Sequence, residues 1–556
     1  MNMLLKRTLL KTLLPAMALA LLLAPAATPD AQAQTPKPVV AVSISGVDQL
    51  MGDIAYITEA AGVEGYGNLF KLLAAPYTVG IDKEKPWGFI MHMNEDAEPI
   101  TLGFVPVKDL DVVFAALKEQ IGEPRDAGNG VFEITDPAPM YVKEKGGFAF
   151  LSNESKHLKS LPDDPVDLLD GMEKKYDIGV RAFVQNIPRE QRQWAIDQMR
   201  GQQQQALENQ LRDLDEDSDE YKLAKRLSDT QIQRLEDMIN DSDELTVGWT
   251  TDGMAKETFL DVTMTAKAGT PTAKRMKLLH GNTSAFGGLE LEDAAMTMSA
   301  TMRMDKDDIE QFTMLLDTAK KQAFNEIEND GDLDTDAKQE RAKDVVGGLI
   351  DSLKATVESG KLDGGAALVL KPQAMSLVVG GAVEEPKSLE NAFRELVELA
   401  KDDPEFPGVK FNDQKHRGVA FHTMSVPVPE EDQARRVLGE ELDVVVGIGK
   451  KAAYLSIGND AADTLKKVID GSSMQTQDAP QIAVNIALTP IFKFAASVED
   501  NPVLELITTT LEETEGNDQI LLKGSPIENG VTYRLTIEEG VLKAIGQAVK
   551  FGNGGL

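Results

Sequence analysis

The stretch GFAFLSNESKHLKSL at residues 147–161 has a second version much later in the chain, AAYLSIGNDAADTLKKV at 452–468. Each version has the pattern of an apolar strand that ends in Leu-Ser, followed by a turn around Asn and the start of a helix. We interpret the Asn or Asp near that start as a helix cap, because such side chains accept hydrogen bonds from free backbone N–H groups. Ser152 has a counterpart in Ser456, but His157 has none. We therefore expect the element to be structural and His157 to be a surface residue.

The elements around the two versions also follow each other in the same order. A strand and a helix at 39–61 correspond to a strand and a helix at 294–322, and each half ends in a hairpin followed by a helix. The sequence therefore predicts an α+β protein of two divergent tandem copies, each a mixed or antiparallel sheet packed with helices. We place the first α+β half at 39–282 and the second at 290–550.

Each half carries an insertion of its own. In the first half, 189–243 is charged and rich in Gln, and its apolar residues, beginning with Trp194, recur at helical spacing. This spacing predicts a helical hairpin, either folded back on its own sheet or serving as an arm for a protein partner. The second half carries an acidic insertion at 325–341 instead.

Residues 1–33 have the pattern of a secretory signal peptide. Lys6, Arg7 and Lys11 precede the apolar run 13–24, and small residues at 31–33 resemble a cleavage site. No later stretch approaches the roughly 18 uninterrupted apolar residues of a membrane-spanning helix. We therefore expect an exported protein, periplasmic or extracellular, with no transmembrane segment after cleavage.

Composition narrows the class of protein. The chain has no Cys, a formal net charge of −34 and 42 % hydrophobic residues. Without Cys it has no disulfide, no thiolate metal ligand and no thiol nucleophile. A surface this acidic repels nucleic acid, so we expect no nucleic-acid partner. The hydrophobic content is that of a globular chain.

The acidic insertion contains a candidate calcium loop. Its acidic side chains alternate along the sequence: Glu326, Glu328, Asp330, Asp332 and Asp334. Calcium prefers six to eight oxygen ligands, and Gly331 would permit the sharp turn of such a loop. Ala337, however, stands where a bidentate Glu belongs. We therefore expect no cofactor and interpret the segment as an exposed acidic turn between helices, with calcium binding as the alternative.

A second pattern concerns methionines. Four methionines are separated by even numbers of positions, which places them on one face of a strand: Met296, Met298, Met302 and Met304. Thioether groups can bind Cu(I). With no Cys in the chain and no His nearby in sequence, we interpret the pattern as a Met-rich core face.

No catalytic motif accompanies these patterns. The five His form no HExxH pair, and the chain contains no GxSxG elbow, no SxxK and no phosphate-binding Gly loop. Paired carboxylates cannot be selected among 91 acidic residues. The missing motifs lower the expectation of an enzyme without excluding one.

Near its end the chain has the sequence Thr536-Ile-Glu-Glu-Gly-Val-Leu-Lys-Ala-Ile-Gly. Together with the signal peptide, the acidic composition and the lack of Cys, this layout resembles exported, signal-peptide-bearing bacterial envelope proteins of planctomycete type. The resemblance implies an envelope or secreted location and brings no functional residues with it.

From these observations we predict an exported, soluble envelope protein with a non-enzymatic binding or structural role. Two alternatives stay open. The protein could be a carrier of lipid or another apolar small molecule, with a groove in each half, or a hydrolase with a site between the halves.

Overall fold

The structure is a computed structural model that describes residues 37–94, 98–136, 138–212, 214–216, 218–330, 333, 335–401, 403–428, 432–472 and 479–552. The predicted signal peptide at 1–33 lies outside these residues, as do Asp332 and Asp334 of the predicted calcium loop. The described residues form fourteen helices and twenty strands, which confirms the α+β class. None of the described helices is long and apolar enough to span a bilayer.

The chain divides into two compact units. The first contains Met1–Ala195 and Ser242–Met264, and the second contains Ile196–Asp241 and Thr265–Leu556. The first series of strands is β1 Pro38–Ile44, β2 Trp87–Met93, β3 Pro99–Pro106, β4 Arg125–Gly128, β5 Val131–Ile134, β6 Met140–Lys145, β7 Phe148–Ser152, β8 Ile178–Phe183, β9 Ser242–Asp252 and β10 Glu257–Ala266. Its helices are α1 Val47–Ala60, α2 Glu64–Ala74 and α3 Leu110–Ile121.

The second series of strands is β11 Met296–Arg303, β12 Lys361–Lys371, β13 Ala374–Ala382, β14 Lys410–His416, β15 Val419–Pro427, β16 Glu441–Ile448, β17 Ala452–Gly458, β18 Ile482–Ala487, β19 Gln519–Ile527 and β20 Gly530–Glu538. The remaining helices are α4 Arg189–Leu211, α5 Asp219–Asp241, α6 Pro271–Lys277, α7 Lys306–Asn329, α8 Asp336–Glu358, α9 Pro386–Ala400, α10 Asp432–Leu438, α11 Ala461–Gly471, α12 Leu488–Val498, α13 Pro502–Glu512 and α14 Glu539–Gly552.

Strand pairing follows one order in each series. The first series pairs antiparallel as β9-β8-β1-β2-β3-β7-β6-β5-β4, and β10 lies beside β9. The second pairs antiparallel as β19-β18-β11-β12-β13-β17-β16-β15-β14, and β20 pairs with β19. The two orders correspond strand by strand.

One face of the first-unit sheet is covered. Buried side chains of β1, β2, β3 and β7, among them Ile90, Phe104 and Phe150, pack under Leu158 and Leu169 of the segment after β7. Because successive residues of a strand point to opposite faces, the alternate residues of these strands lie on the other face. We call that second face the open face.

In the second unit, α11 covers the corresponding face of the sheet. Its buried Leu465 and Val468 pack with Val378, Val445 and Tyr454 of the strands. After β7 the chain instead forms a short 3-10 turn, Ser155–Leu158, so the predicted helix start is present in only one of the two versions.

The predicted cap is also wrong. Asp460, which precedes α11, makes no side-chain capping hydrogen bond. The neighbouring Asn459 uses its side-chain oxygen to accept a hydrogen bond from the Met375 backbone N–H at 3.0 Å. The Asn of this version therefore connects two strand ends and does not cap the helix.

The insertion predicted at 189–243 contains α4 and α5, which form a helical hairpin. Arg200 on α4 pairs with Glu236 on α5, and Gln203 donates a hydrogen bond to Gln231 at 3.5 Å. Trp194 is 66 % exposed, so it lies outside the apolar packing stripe in which the sequence pattern placed it.

Candidate functional site

A groove lies on the open face of the first unit, with a cavity volume of about 190 Å³. Its lining is mainly apolar and comes from β1, β2, β3, β6, β7 and the chain before β6. The residues are Ile44, Trp87, Gly88, Phe89, Pro99, Thr101, Gly103, Phe104, Val105, Ala138, Pro139, Met140, Leu151, Ser152 and Asn153. We call this cavity the first-unit groove.

Strand register explains why these side chains meet. Phe89 lies opposite Gly103, and Gly103 lies opposite Leu151, so the three positions form one row across β2, β3 and β7. Opposed residues of antiparallel strands point to the same face. Gly103 leaves space in the row, since a Cβ there would lie 3.6 Å from the Leu151 Cβ.

Helix α3 packs over the same sheet face farther along, above β5, β6 and β7. Its buried Leu110 and Phe114 cluster with Val142 and Ala149 of those strands. Leu151 packs partly against this cluster and also lines the groove, so the groove lies beside the part of the face that α3 covers.

A polar pair lies at the end of β7, on the covered face of the sheet, because Ser152 lies opposite Leu102 and on the same side of its strand as Phe150. The Ser152 hydroxyl lies 3.0 Å from the Thr101 carbonyl oxygen and 3.2 Å from His157 Nδ1. His157 is half-buried, which corrects its prediction as a surface residue, and burial lowers its pKa below the ordinary value. Its Nε2 is buried and has no hydrogen-bond partner within the described part of the chain.

This pair differs from a nucleophilic dyad in two respects. Ser152 is only 3 % exposed, so its hydroxyl is shielded from a substrate. A catalytic His also needs an orienting group on its second ring nitrogen. No described residue fills that role for His157. The arrangement therefore reads as a buried structural hydrogen bond and gives little support to acyl transfer.

A second polar cluster in the first unit joins two carboxyls. Asp177 precedes β8 and is 1 % exposed, and it accepts hydrogen bonds from Gln49 Nε2 at 2.5 Å and from the Thr251 backbone N–H at 2.7 Å. Asp53, on α1, lies close to Asp177, and its Oδ2 is buried with no hydrogen-bond partner among the described residues. Burial, followed by the charge of Asp177, raises the pKa of Asp53 to about 7.

The raised pKa means that Asp53 holds its proton below neutral pH, beside a carboxyl that two donors hydrogen-bond. The sequence pattern missed the pair because Asp53 and Asp177 belong to distant parts of the chain. The one available signal was an Asp directly before an apolar strand.

The open face of the second unit is apolar as well. Met298 lies opposite Ala366 on β12, and Val379 lies opposite Leu455 on β17. Met296, Met298, Val379 and Leu455 are each between 37 % and 41 % exposed. The prediction of a Met-rich core face is therefore wrong for Met296 and Met298, whereas Met304 is buried just beyond the strand.

The structure places three of the five candidate calcium ligands. Glu326 and Glu328 are exposed on the last turns of α7, and Asp330 follows the helix end. Glu328 accepts a hydrogen bond from Lys343 Nζ on α8 at 2.5 Å. Among the residues that the structure describes, no group of three or more His, Asp or Glu side chains could hold a metal ion.

A charged cleft of about 380 Å³ lies between α5 and α7 in the second unit. Each of its three arginines faces an acid. Arg226 pairs with Glu310, Arg234 with Asp308, and Arg275 with Asp237 at 3.3 Å. Charges that are already compensated in this way leave no net attraction for an anion.

No protein-family model, no curated protein and no solved structure matches this chain. The function is therefore interpreted from the chemistry of the site alone.

Proposed function

We propose that this is a non-enzymatic binding protein that holds an apolar ligand, such as the end of a lipid acyl chain, in the first-unit groove. The observation that carries the proposal is the row Phe89, Gly103 and Leu151 with Trp87 beside it, an apolar surface that lines the first-unit groove. We also propose that the protein is exported, on the basis of the signal-peptide pattern at 1–33.

The energetics favour an occupant for this surface. Apolar surface removed from water contributes about 25 cal/mol per Å². A groove of about 190 Å³ is close in size to the roughly 150 Å³ apolar cavity that binds benzene in another protein. A single ring or a short length of acyl chain therefore fits, with its polar end near Asn153.

The exposed methionines of the second unit support the same class of ligand. Met side chains are flexible and polarizable, and they suit surfaces that adapt to varied apolar partners. A carrier with an apolar surface in each unit is therefore better supported than a purely structural role. A hydrolytic role for the Ser152–His157 pair has less support, since Ser152 is buried and His157 lacks an orienting partner among the described residues.

The proposal can be tested at Trp87 itself. The chain has three Trp, so replacing Trp194 and Trp249 with Phe leaves Trp87 as the one fluorophore of its kind. A brominated fatty acid should quench Trp87 when its chain enters the groove. Gly103→Leu should lower the affinity about tenfold or more by filling the row. Val180→Leu, on the same sheet face but outside the groove lining, should leave it unchanged.

Two results would overturn the proposal. The first is an absence of saturable quenching of Trp87. The second is equal affinity in the Gly103→Leu and Val180→Leu variants, because a ligand in the groove has to compete with the new leucine.

We further propose that the two series of strands are copies of one ancestral unit. Their equal pairing order supports this, and so does the place of the Leu-Ser element. Leu151 lies opposite Gly103, and Leu455 lies opposite Val379, at the same position in the corresponding strand pair. Superposing β1–β10 on β11–β20 in an experimental structure tests the proposal, and strand orders that differ would refute it.

A further inference from the structure

Helix α2 and the turn after it expose an apolar surface that the groove does not include. Leu72 is 71 % exposed, and Tyr66, Leu69, Leu73 and Tyr77 are between 49 % and 53 % exposed. These five residues are called the α2 stripe below. Contiguous apolar surface of this kind marks an interaction site in soluble proteins.

Helical geometry places the α2 stripe away from the rest of the hairpin. Gly67 faces α1 closely, because a Cβ there would lie 2.4 Å from Thr58 Oγ1. At about 100° per residue, Leu69 lies roughly 200° around the helix from Gly67. Leu72 and Leu73 flank Leu69 on that side. The stripe is therefore the side of α2 opposite to its packing contact with α1.

The charges around the stripe select among possible occupants. Between Glu64 and Asp82 the chain carries one charged residue, Lys71, whereas the whole chain has a net charge of −34. A second copy of the chain, or an anionic membrane, would meet long-range repulsion from that excess. A surface without net charge would meet no such repulsion.

The composition of the stripe fits a lipid surface. Leucines occupy its centre, and Tyr66 and Tyr77 stand at its two ends. Tyrosine is enriched at membrane–water interfaces, because its ring is apolar and its hydroxyl is polar. An amphipathic helix that binds at such an interface lies in the plane of the surface with its apolar side among the lipid chains.

We propose that the α2 stripe docks the protein on a zwitterionic lipid surface, with Leu69, Leu72 and Leu73 inserted at the boundary between headgroups and acyl chains. This inference is independent of the first-unit groove. The groove takes one apolar group, whereas the stripe binds the plane of a bilayer.

The lack of Cys in the chain allows a local test. Leu72→Cys in the full chain is labelled with an environment-sensitive fluorophore and mixed with phosphatidylcholine vesicles. The emission should shift to the blue as the label enters the lipid. Leu353→Cys, at a 55 % exposed leucine of α8, is the matched control and should show no shift. Adding Leu69→Ser and Leu73→Ser to the Leu72→Cys variant should lower the vesicle affinity about tenfold or more.

Several outcomes would overturn the inference. One is a Leu72→Cys label that does not respond to vesicles, and another is an equal shift at position 353. A blue shift that grows with protein concentration in the absence of vesicles would show that a second copy covers the stripe. The Gly103→Leu variant should keep its vesicle binding, so failure of the groove proposal and failure of this one are distinguishable.

Discussion

Asp53 of α1 lies close to Asp177, the residue just before β8, and the pKa of Asp53 rises to about 7 as a result of burial and of the neighbouring carboxyl group. The pair connects the first helix of the first unit to its sheet. Because one proton is held in the folded state and lost at higher pH, this connection depends on pH.

The sign of that dependence can be tested with Asp53→Asn. The folded-state pKa of Asp53, about 7, lies above the ordinary value of 3.8. The folded state therefore binds the proton more tightly, and stability from this group is lost as pH rises from about 4 to about 7. Asn cannot ionise, so the stability of the variant relative to the wild type should increase as pH rises from about 4 to about 7 and then stay constant.

The difference in free energy of unfolding between the variant and the wild type is measured by urea unfolding at about pH 4 and at about pH 7. Glu59→Gln, at an exposed position of the same helix, is the control and should follow the wild type. If the free energy of unfolding of Asp53→Asn and of the wild type depends on pH in the same way, Asp53 does not hold a proton near neutral pH in the folded state.

Asp177→Ala should lower the free energy of unfolding more than the removal of an exposed acidic side chain does. The change leaves the Gln49 amide and the Thr251 backbone N–H without their acceptor. An unsatisfied buried donor costs about 1–3 kcal/mol, so we expect the free energy of unfolding to fall by roughly 2–4 kcal/mol. Glu119→Ala, on the exposed side of α3, should change it by less than about 0.5 kcal/mol. Equal effects of the two variants would contradict the buried role of Asp177.

Gly365 should not tolerate a side chain. A Cβ at this position of β12 would lie 2.2 Å from the Met298 carbonyl oxygen, so the strands would have to move apart. We expect Gly365→Ala to lower the free energy of unfolding by about 1–3 kcal/mol. The matched control is Gly52→Ala on α1, where nothing lies within 4 Å of the new Cβ. That variant should gain about 0.5–1 kcal/mol from helix propensity. A neutral Gly365→Ala would show that the strand pair is looser than described.

Removing calcium should leave thermal stability unchanged. Glu328 is paired with Lys343, and Glu326 is exposed on the α7 helix. Neither side chain lies in a loop that wraps an ion. We expect the same Tm in excess EDTA and in about 1 mM calcium. A Tm that rises with calcium in the wild type but not in Glu326→Gln would establish the acidic insertion as an ion site.

Much of the local structure follows from sequence patterns. Alternating apolar residues predict strands such as β1 and β17, and helical spacing predicts α4 and α5, because these periods reflect local backbone geometry. The Leu-Ser element also marks equivalent positions in the strand order, at Leu151 and Leu455. Its polar residues are harder to interpret, since Asn459 accepts a hydrogen bond from Met375, which lies in another segment.

The candidate site was not predictable in the same way. Alternation shows that a strand has two faces, but it does not show which face another element will cover. Met296 and Met298 match a core pattern and are nevertheless exposed, because the covering helix α11 packs on the opposite side of the sheet. The first-unit groove depends in the same way on where α3 ends its coverage.

By itself, the sequence determined the α+β class and the acidic, Cys-free character of the chain, since these depend on composition and on patterns among neighbours along the chain. The tertiary structure alone decided which sheet faces stay open and that Asp53 meets Asp177. Those features depend on pairing between distant strands, which brings residues together that no local spacing relates.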